Sequence, residues 1–341
     1  MLIRTLIATT ALPLLATTAY AQDMSFKRIA SFPVALNTAD GSVQAEETSA
    51  EIIAVTPDGN TLVYTDSPLG VVGMIDITEP ANPTGLGTVA VDGEPTAVAV
   101  VGRRAYVGVN TSESFTNPSG GLAVIDIDSQ KVVANCDLGG QPDSVAVNAE
   151  GSFVAIAIEN ERDEDLGDGR TGQMPAGFLA MVDLANNTAQ CDTLRTADLT
   201  GLAKVSPEDP EPEFVDINSL DEVVVSLQEN NHMVVVARDG SIVSHFSAGA
   251  VTFENVDTNE EGALTFDDTL VDVVREPDSV KWIDDDHFAT ANEGDMDGGS
   301  RGWTIFSKDG TVVYESGLSF EYAVAEVGHY PEERSGNKGV E

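Results

Sequence analysis

One short motif recurs along the chain and limits what it can fold into. Glu94-Pro95-Thr96-Ala97-Val98 opens one unit, and Gln141-Pro142-Asp143-Ser144-Val145 opens the next. Glu211-Pro212-Glu213-Phe214-Val215 and Glu276-Pro277-Asp278-Ser279-Val280 open two more, and a weaker first copy starts at Glu51. Each unit runs in the same order. An apolar strand meets a tight turn such as Pro57-Asp58-Gly59-Asn60, then a second strand, a variable loop, a third strand (GMIDI, LAVIDI, FLAMVDL) and a fourth (KVVANC, SIVSHF). Short Val- and Ile-rich runs bounded by Gly, Asp and Asn are strand-and-turn patterning. Four antiparallel strands repeated about five times predict an all-β fold, a β-propeller of four-stranded blades. The prolines lie 47, 70 and 65 residues apart. A plain blade takes roughly 40–50 residues, so the two longer intervals carry insertions. One short helix is expected over Ser319 to Val327. Phe26 to Leu36 is expected to supply the closing strand of the last blade.

The N-terminus predicts export. A basic start at Arg4, an apolar core over Leu6 to Ala16 and the sequence Ala19-Tyr20-Ala21 before Gln22 form a secretory signal pattern. Domain boundaries follow: residues 1–21 as signal peptide and 22–341 as the propeller, in the periplasm or secreted. The apolar core is too short for a span, which needs roughly 20 residues, and no membrane span is expected. The chain ends on Gly339-Val340-Glu341, like the opening of another Glu-Pro unit, so further blades are expected beyond it. Cys136 and Cys191 follow equivalent strands of neighbouring units and are expected to pair, because an oxidising compartment permits a disulfide.

Lys and Arg number 17 against 57 Asp and Glu, a net charge of −40. Nucleic acid and anionic membrane surfaces require a basic footprint and are poor partners, and no nucleic-acid partner is expected; cations are natural ones. Second strands end at Asn110, Glu159-Asn160, Glu229-Asn230 and Asn292-Glu293, equivalent positions that would ring one mouth of the channel. The insertions over 161–172, 248–275 and 292–301 emerge on that same face. Hard cations such as Ca2+ take six to eight oxygen ligands, and Asn292, Glu293, Asp295 and Asp297 are candidate ligands. Within 257–268, Asp257, Asn259, Glu261 and Asp268 hold positions 1, 3, 5 and 12 of an EF-hand-like loop with Gly262 at position 6. Glu at position 5 and Asp at position 12 depart from that pattern, and flanking helices are lacking.

Glu276-Pro-Asp-Ser-Val280, Thr290-Ala-Asn-Glu-Gly-Asp295, Gly299-Ser-Arg-Gly-Trp-Thr-Ile-Phe306 and His329-Tyr-Pro-Glu-Glu-Arg-Ser-Gly-Asn-Lys338 resemble the choice-of-anchor I domain proteins. That resemblance implies an exported bacterial propeller, related to alkaline phosphatase-like and esterase-like phytase groups. Two functions are carried forward. The first is a calcium-dependent extracellular recognition module for a small molecule, glycan or protein. The second is a metal-dependent phosphate-ester hydrolase, with Arg301 on a phosphate oxygen and Glu159, Asn160 and Glu161 contributing from the neighbouring blade. Catalytic residues are not assigned: His-Glu-x-x-His and a P-loop are absent, and the four histidines are scattered.

Overall fold

The computed structural model describes residues 27–37, 47–163, 165–167, 169, 172–294 and 300–330. The expected signal segment 1–21, Asp295, Asp297 and the chain end after 330 lie outside them. Five antiparallel blades follow one another, the third five-stranded and the others four-stranded. Blade 1 comprises β1 (Ile53–Val55), β2 (Thr61–Asp66), β3 (Val71–Asp76) and β4 (Thr84–Ala90). Blade 2 comprises β5 (Glu94–Val101), β6 (Arg104–Asn110), β7 (Gly120–Asp126) and β8 (Lys131–Asp137). Blade 3 has β9 (Pro142–Val147), β10 (Phe153–Ile158) and β11 (Phe178–Ala185), with its outer edge divided between β12 (Thr188–Ala189) and β13 (Arg195–Asp198). Blade 4 has β14 (Pro212–Ile217), β15 (Val223–Leu227), β16 (His232–Val236) and β17 (Ile242–Ser247). A hairpin, β18 (Ala250–Val256) with β19 (Asp268–Val274), intervenes before blade 5. That blade is β20 (Pro277–Trp282), β21 (His287–Asn292), β22 (Trp303–Ser307) and β23 (Val312–Glu315). The helix α1 (Ser319–Glu326) follows, as the sequence predicts.

The blades hold together through both faces of their middle strands. Val154, Ile156 and Ile158 of β10 pack against Leu122 and Val124 of blade 2. Their alternates Phe153, Ala155 and Ala157 pack against Val223 and Val225 of blade 4. Burial on both faces is why these strands read as continuous apolar runs rather than alternating ones. The recurring proline also has a packing reason. A Cβ on Gly120 would stand 2.2 Å from Pro142 Cδ, and one on Gly177 2.5 Å from Pro212 Cδ. Each of these prolines therefore sits over a glycine at the entry to the third strand of the blade before it.

A Cys136–Cys191 disulfide, Cα atoms 5.2 Å apart, joins blades 2 and 3. Residues 27–37 do not form the closing strand expected of them. They pack on blade 1, where the buried Asn37 donates to Tyr64 Oη and Met74 O and accepts from Gly87 N. A side chain whose donors and acceptor all find partners within blade 1 has reason to stay there.

Candidate functional site: an acidic channel mouth

The inner strands β1, β5, β9, β14 and β20 line one cavity of 680 Å³. In blades 2 to 5 the residue after the recurring proline faces it: Thr96, Asp143, Glu213 and Asp278. The wall beneath is small and apolar, with Ala54, Ala97, Ala99 and Ala146. Glu213 and Asp278 also line a second cavity of 290 Å³, the mouth.

Around that mouth the Glu-Asn pairs divide their labour. The asparagines are buried struts. Asn160 Oδ1 accepts from Gln141 N at 2.9 Å and its amide donates to Ala176 O. Asn230 Oδ1 accepts from Glu211 N at 2.9 Å and its amide reaches Val205 O, Ser206 O and Asp209 O. Asn231 Oδ1 accepts from Glu276 N at 3.1 Å. Asn160 and Asn231 take φ of +54° and +47°, a left-handed conformation that asparagine tolerates better than most residues. The glutamates Glu159, Glu229 and Glu293 face the mouth, with Glu161 and Glu211 beside them.

Seven carboxylates thus line a mouth that holds one guanidinium. Arg162, 1% exposed, ion-pairs with Glu211 and, at 3.1 Å, with Glu229, and its backbone N–H donates to Glu211 Oε1. Gln228 donates to Glu293, and Gln141 to Glu161 at 3.2 Å. One cation cannot offset this charge, and four carboxyls in and beside the mouth are pushed toward their protonated forms. Burial, then the charges of Asp278 and Glu161, push Asp143 up to about 7. Burial followed by the hydrogen bond and charge of Glu229 pushes Glu211 up to about 10. Glu159 is raised well above the usual range, first by burial and then by the charges of Asp143 and Glu161, and Glu213 likewise by burial and then by Glu159 and Asp143.

The structure brings Glu159, Glu161 and Glu293 into the mouth, and sets Asn292, Arg301 and the 257–268 candidates elsewhere. Asn292 is fully buried within blade 5, where its amide donates to Thr304 Oγ1 and its oxygen accepts from Thr290 Oγ1. Arg301 is 1% exposed and bonded to Glu321 at 2.8 Å and to Asp257 O at 3.1 Å. Residues 257–268 form the tip of the β18–β19 hairpin, with no flanking helices. There Thr258 and Asn259 both donate to Asp268 Oδ2 at 2.7 Å, and Glu261 accepts from Thr265. Asp257, Asn259 and Asp268 are therefore close, while Glu261 lies on the exposed side. Among the described residues no group of three or more His, Cys, Asp or Glu side chains is gathered tightly enough to hold a metal ion. Sequence reasoning missed Asp143, Glu213 and Asp278, although Pro-Asp, Pro-Glu and Pro-Asp at equivalent repeat positions were there to be read.

A model of the choice-of-anchor I domain matches residues 51–298. Among solved structures, Kuenenia stuttgartiensis hydrazine synthase is similar with a TM-score of 0.51 at 15% identity, covering 76% of this chain and 71% of that one. A chain of the mitotic checkpoint complex has a TM-score of 0.50 at 11% identity, covering 78% of this chain and 64% of that one. Identities this low bear on the fold alone. No curated protein matches the chain in sequence.

Proposed function

The chain belongs to the choice-of-anchor I domain family, and from that premise we propose that it is an exported recognition module whose acidic mouth binds its ligand through a cation. Residues 1–21 would direct export to the periplasm or beyond, and 22–341 would form the binding domain. The observation that carries the reading is the mouth itself: seven carboxylates converge from successive blades onto a space with one arginine. Self-repulsion of this kind destabilises a fold, which a cation entering the mouth relieves.

Calcium suits the donors, which are oxygens without histidine or thiolate. Mouth ligation would fall to Glu159, Glu161, Glu213 and Glu293, with the segment carrying Asp295 and Asp297 adjoining Glu293. Asp257, which opens the hairpin-tip loop, marks a second proposed calcium position, since its Oδ2 is buried without a hydrogen-bond partner. Nothing in the geometry favours the hydrolase reading, since Arg301 pairs with Glu321 and Asn292 is bonded within its own blade.

Calorimetric titration of the mature protein with calcium at pH 8 tests the proposal. Saturable binding is expected, weakened at least tenfold by combined Glu159→Gln and Glu213→Gln. Binding that these substitutions leave unchanged would remove the mouth from the account.

A further inference from the structure

The hairpin tip and the C-terminal helix meet around a second group of buried charges. Asp257 is fully buried, and Glu321 and Arg301 are each 1% exposed. Arg301 Nη1 donates to Asp257 O at 3.1 Å and to Glu321 Oε1 at 2.8 Å, so one nitrogen spans the hairpin and the helix. Tyr330 Oη donates to the same Glu321 oxygen at 2.6 Å. Aromatic rings enclose the place: Phe266 of the tip meets Tyr322 and Tyr330 edge-on at 5.2 and 5.9 Å, and Tyr322 Oη donates to Asn255 O. Two carboxylate oxygens within this enclosure, Asp257 Oδ2 and Glu321 Oε2, are buried with no hydrogen-bond partner. Leaving such an oxygen bare is costly, more so when it carries charge. The two acids also feel each other, since the charge of Asp257 acts on Glu321 and on Tyr330.

We propose that a calcium ion bridges Asp257 Oδ2 and Glu321 Oε2, fastening the inserted hairpin to the helix that follows the last blade. Two acids against one guanidinium leave a buried excess of negative charge, and both open positions are oxygens, the donor type of a hard cation. Main-chain carbonyls and water would complete its coordination. The ion would hold together two elements that flank blade 5 in sequence, and would fix Arg301, which leads into β22. This rests on the calcium reading above but assigns a different ligand set: Glu321 takes the place of Asp268 as the second carboxylate. A water, or a proton on Glu321, is the competing occupant.

Terbium(III) is a calcium stand-in whose luminescence is excited through nearby tyrosine, and Tyr330 touches Glu321. The mature protein is expected to give tyrosine-sensitised terbium emission that calcium displaces. Glu321→Gln keeps an acceptor for Arg301 and Tyr330, and is expected to lower terbium and calcium affinity at this position at least tenfold. Asp268→Asn is expected to leave both unchanged. Emission lost in Asp268→Asn but kept in Glu321→Gln would overturn the bridge and leave calcium in the loop alone. A silent wild-type protein that still binds calcium by calorimetry would overturn the bridge while sparing the mouth. Absence of both signals would overturn the bridge and the calcium reading together.

Discussion

Asn160, Asn230 and Asn231 hold main-chain N–H groups that the proline-led entries of β9, β14 and β20 would otherwise leave without acceptors. Asn230 alone serves Glu211 N and three carbonyls. Asn230→Ala is expected to lower stability by about 2 kcal/mol through these buried, unpaired groups, measured as a shift in denaturant midpoint. The mouth carboxylates act in the opposite sense. Asp143, with its titration raised to about 7, keeps a proton in the fold that the unfolded chain releases near pH 4. Its contribution is therefore fully present below about pH 4 and lost as pH rises through 7. Stability in EDTA is expected to fall from pH 5 to pH 8, by up to about 1.4 kcal/mol per pH unit for each proton held, read as a lower melting temperature. Asp143→Asn should make that fall shallower. The acids were legible in the sequence as a class; which neighbour of each pair faces the channel was not, because that depends on the local backbone, left-handed at Asn160 and Asn231.

Strands and blade boundaries were readable because each unit writes the same order of apolar run, turn and proline. Gly177 shows what the repeat encodes at the level of packing. Its missing side chain admits Pro212 and the carbonyl of Glu159, which a Cβ would approach to 2.4 Å. Gly177→Ala is expected to destabilise the fold by about 3 kcal/mol through overpacking, seen as a lower melting temperature with a distorted join between blades 3 and 4. The disulfide was readable from the matching places of its cysteines. With 55 residues between its ends, its removal in Cys136→Ser, Cys191→Ser protein is expected to cost about 4 kcal/mol by chain entropy, measured by urea denaturation. The hairpin β18–β19 was harder to see. Its Val251-Thr-Phe253 and Leu270-Val-Asp-Val-Val274 runs lie inside an insertion, where no repeat marks their register, and bulges interrupt their alternation. The segment over 27–37 was misjudged for a related reason: the role of Asn37 comes from three contacts within blade 1, none of them near in sequence.

At the scale of the molecule, a formal charge of −40 has two parts. Most of it is spread over the outer surface, where it favours solubility. The smaller part is concentrated by the repeat: equivalent acids in successive blades point into one channel, so adding blades adds charge to the same place. That concentration separates a binding mouth from a merely acidic protein, and a cation should stabilise several blades together rather than one loop. The most direct test is a thermal melt of the mature protein at pH 8, in EDTA and in excess calcium, alongside the Glu159→Gln, Glu213→Gln variant. A ligand held only by the folded state adds about 2.7 kcal/mol at a hundred times its dissociation constant. The account predicts a rise of several degrees in calcium for the wild-type protein, with most of it lost in the variant. Coincident melts in calcium and EDTA, or a rise that the variant keeps in full, would contradict it.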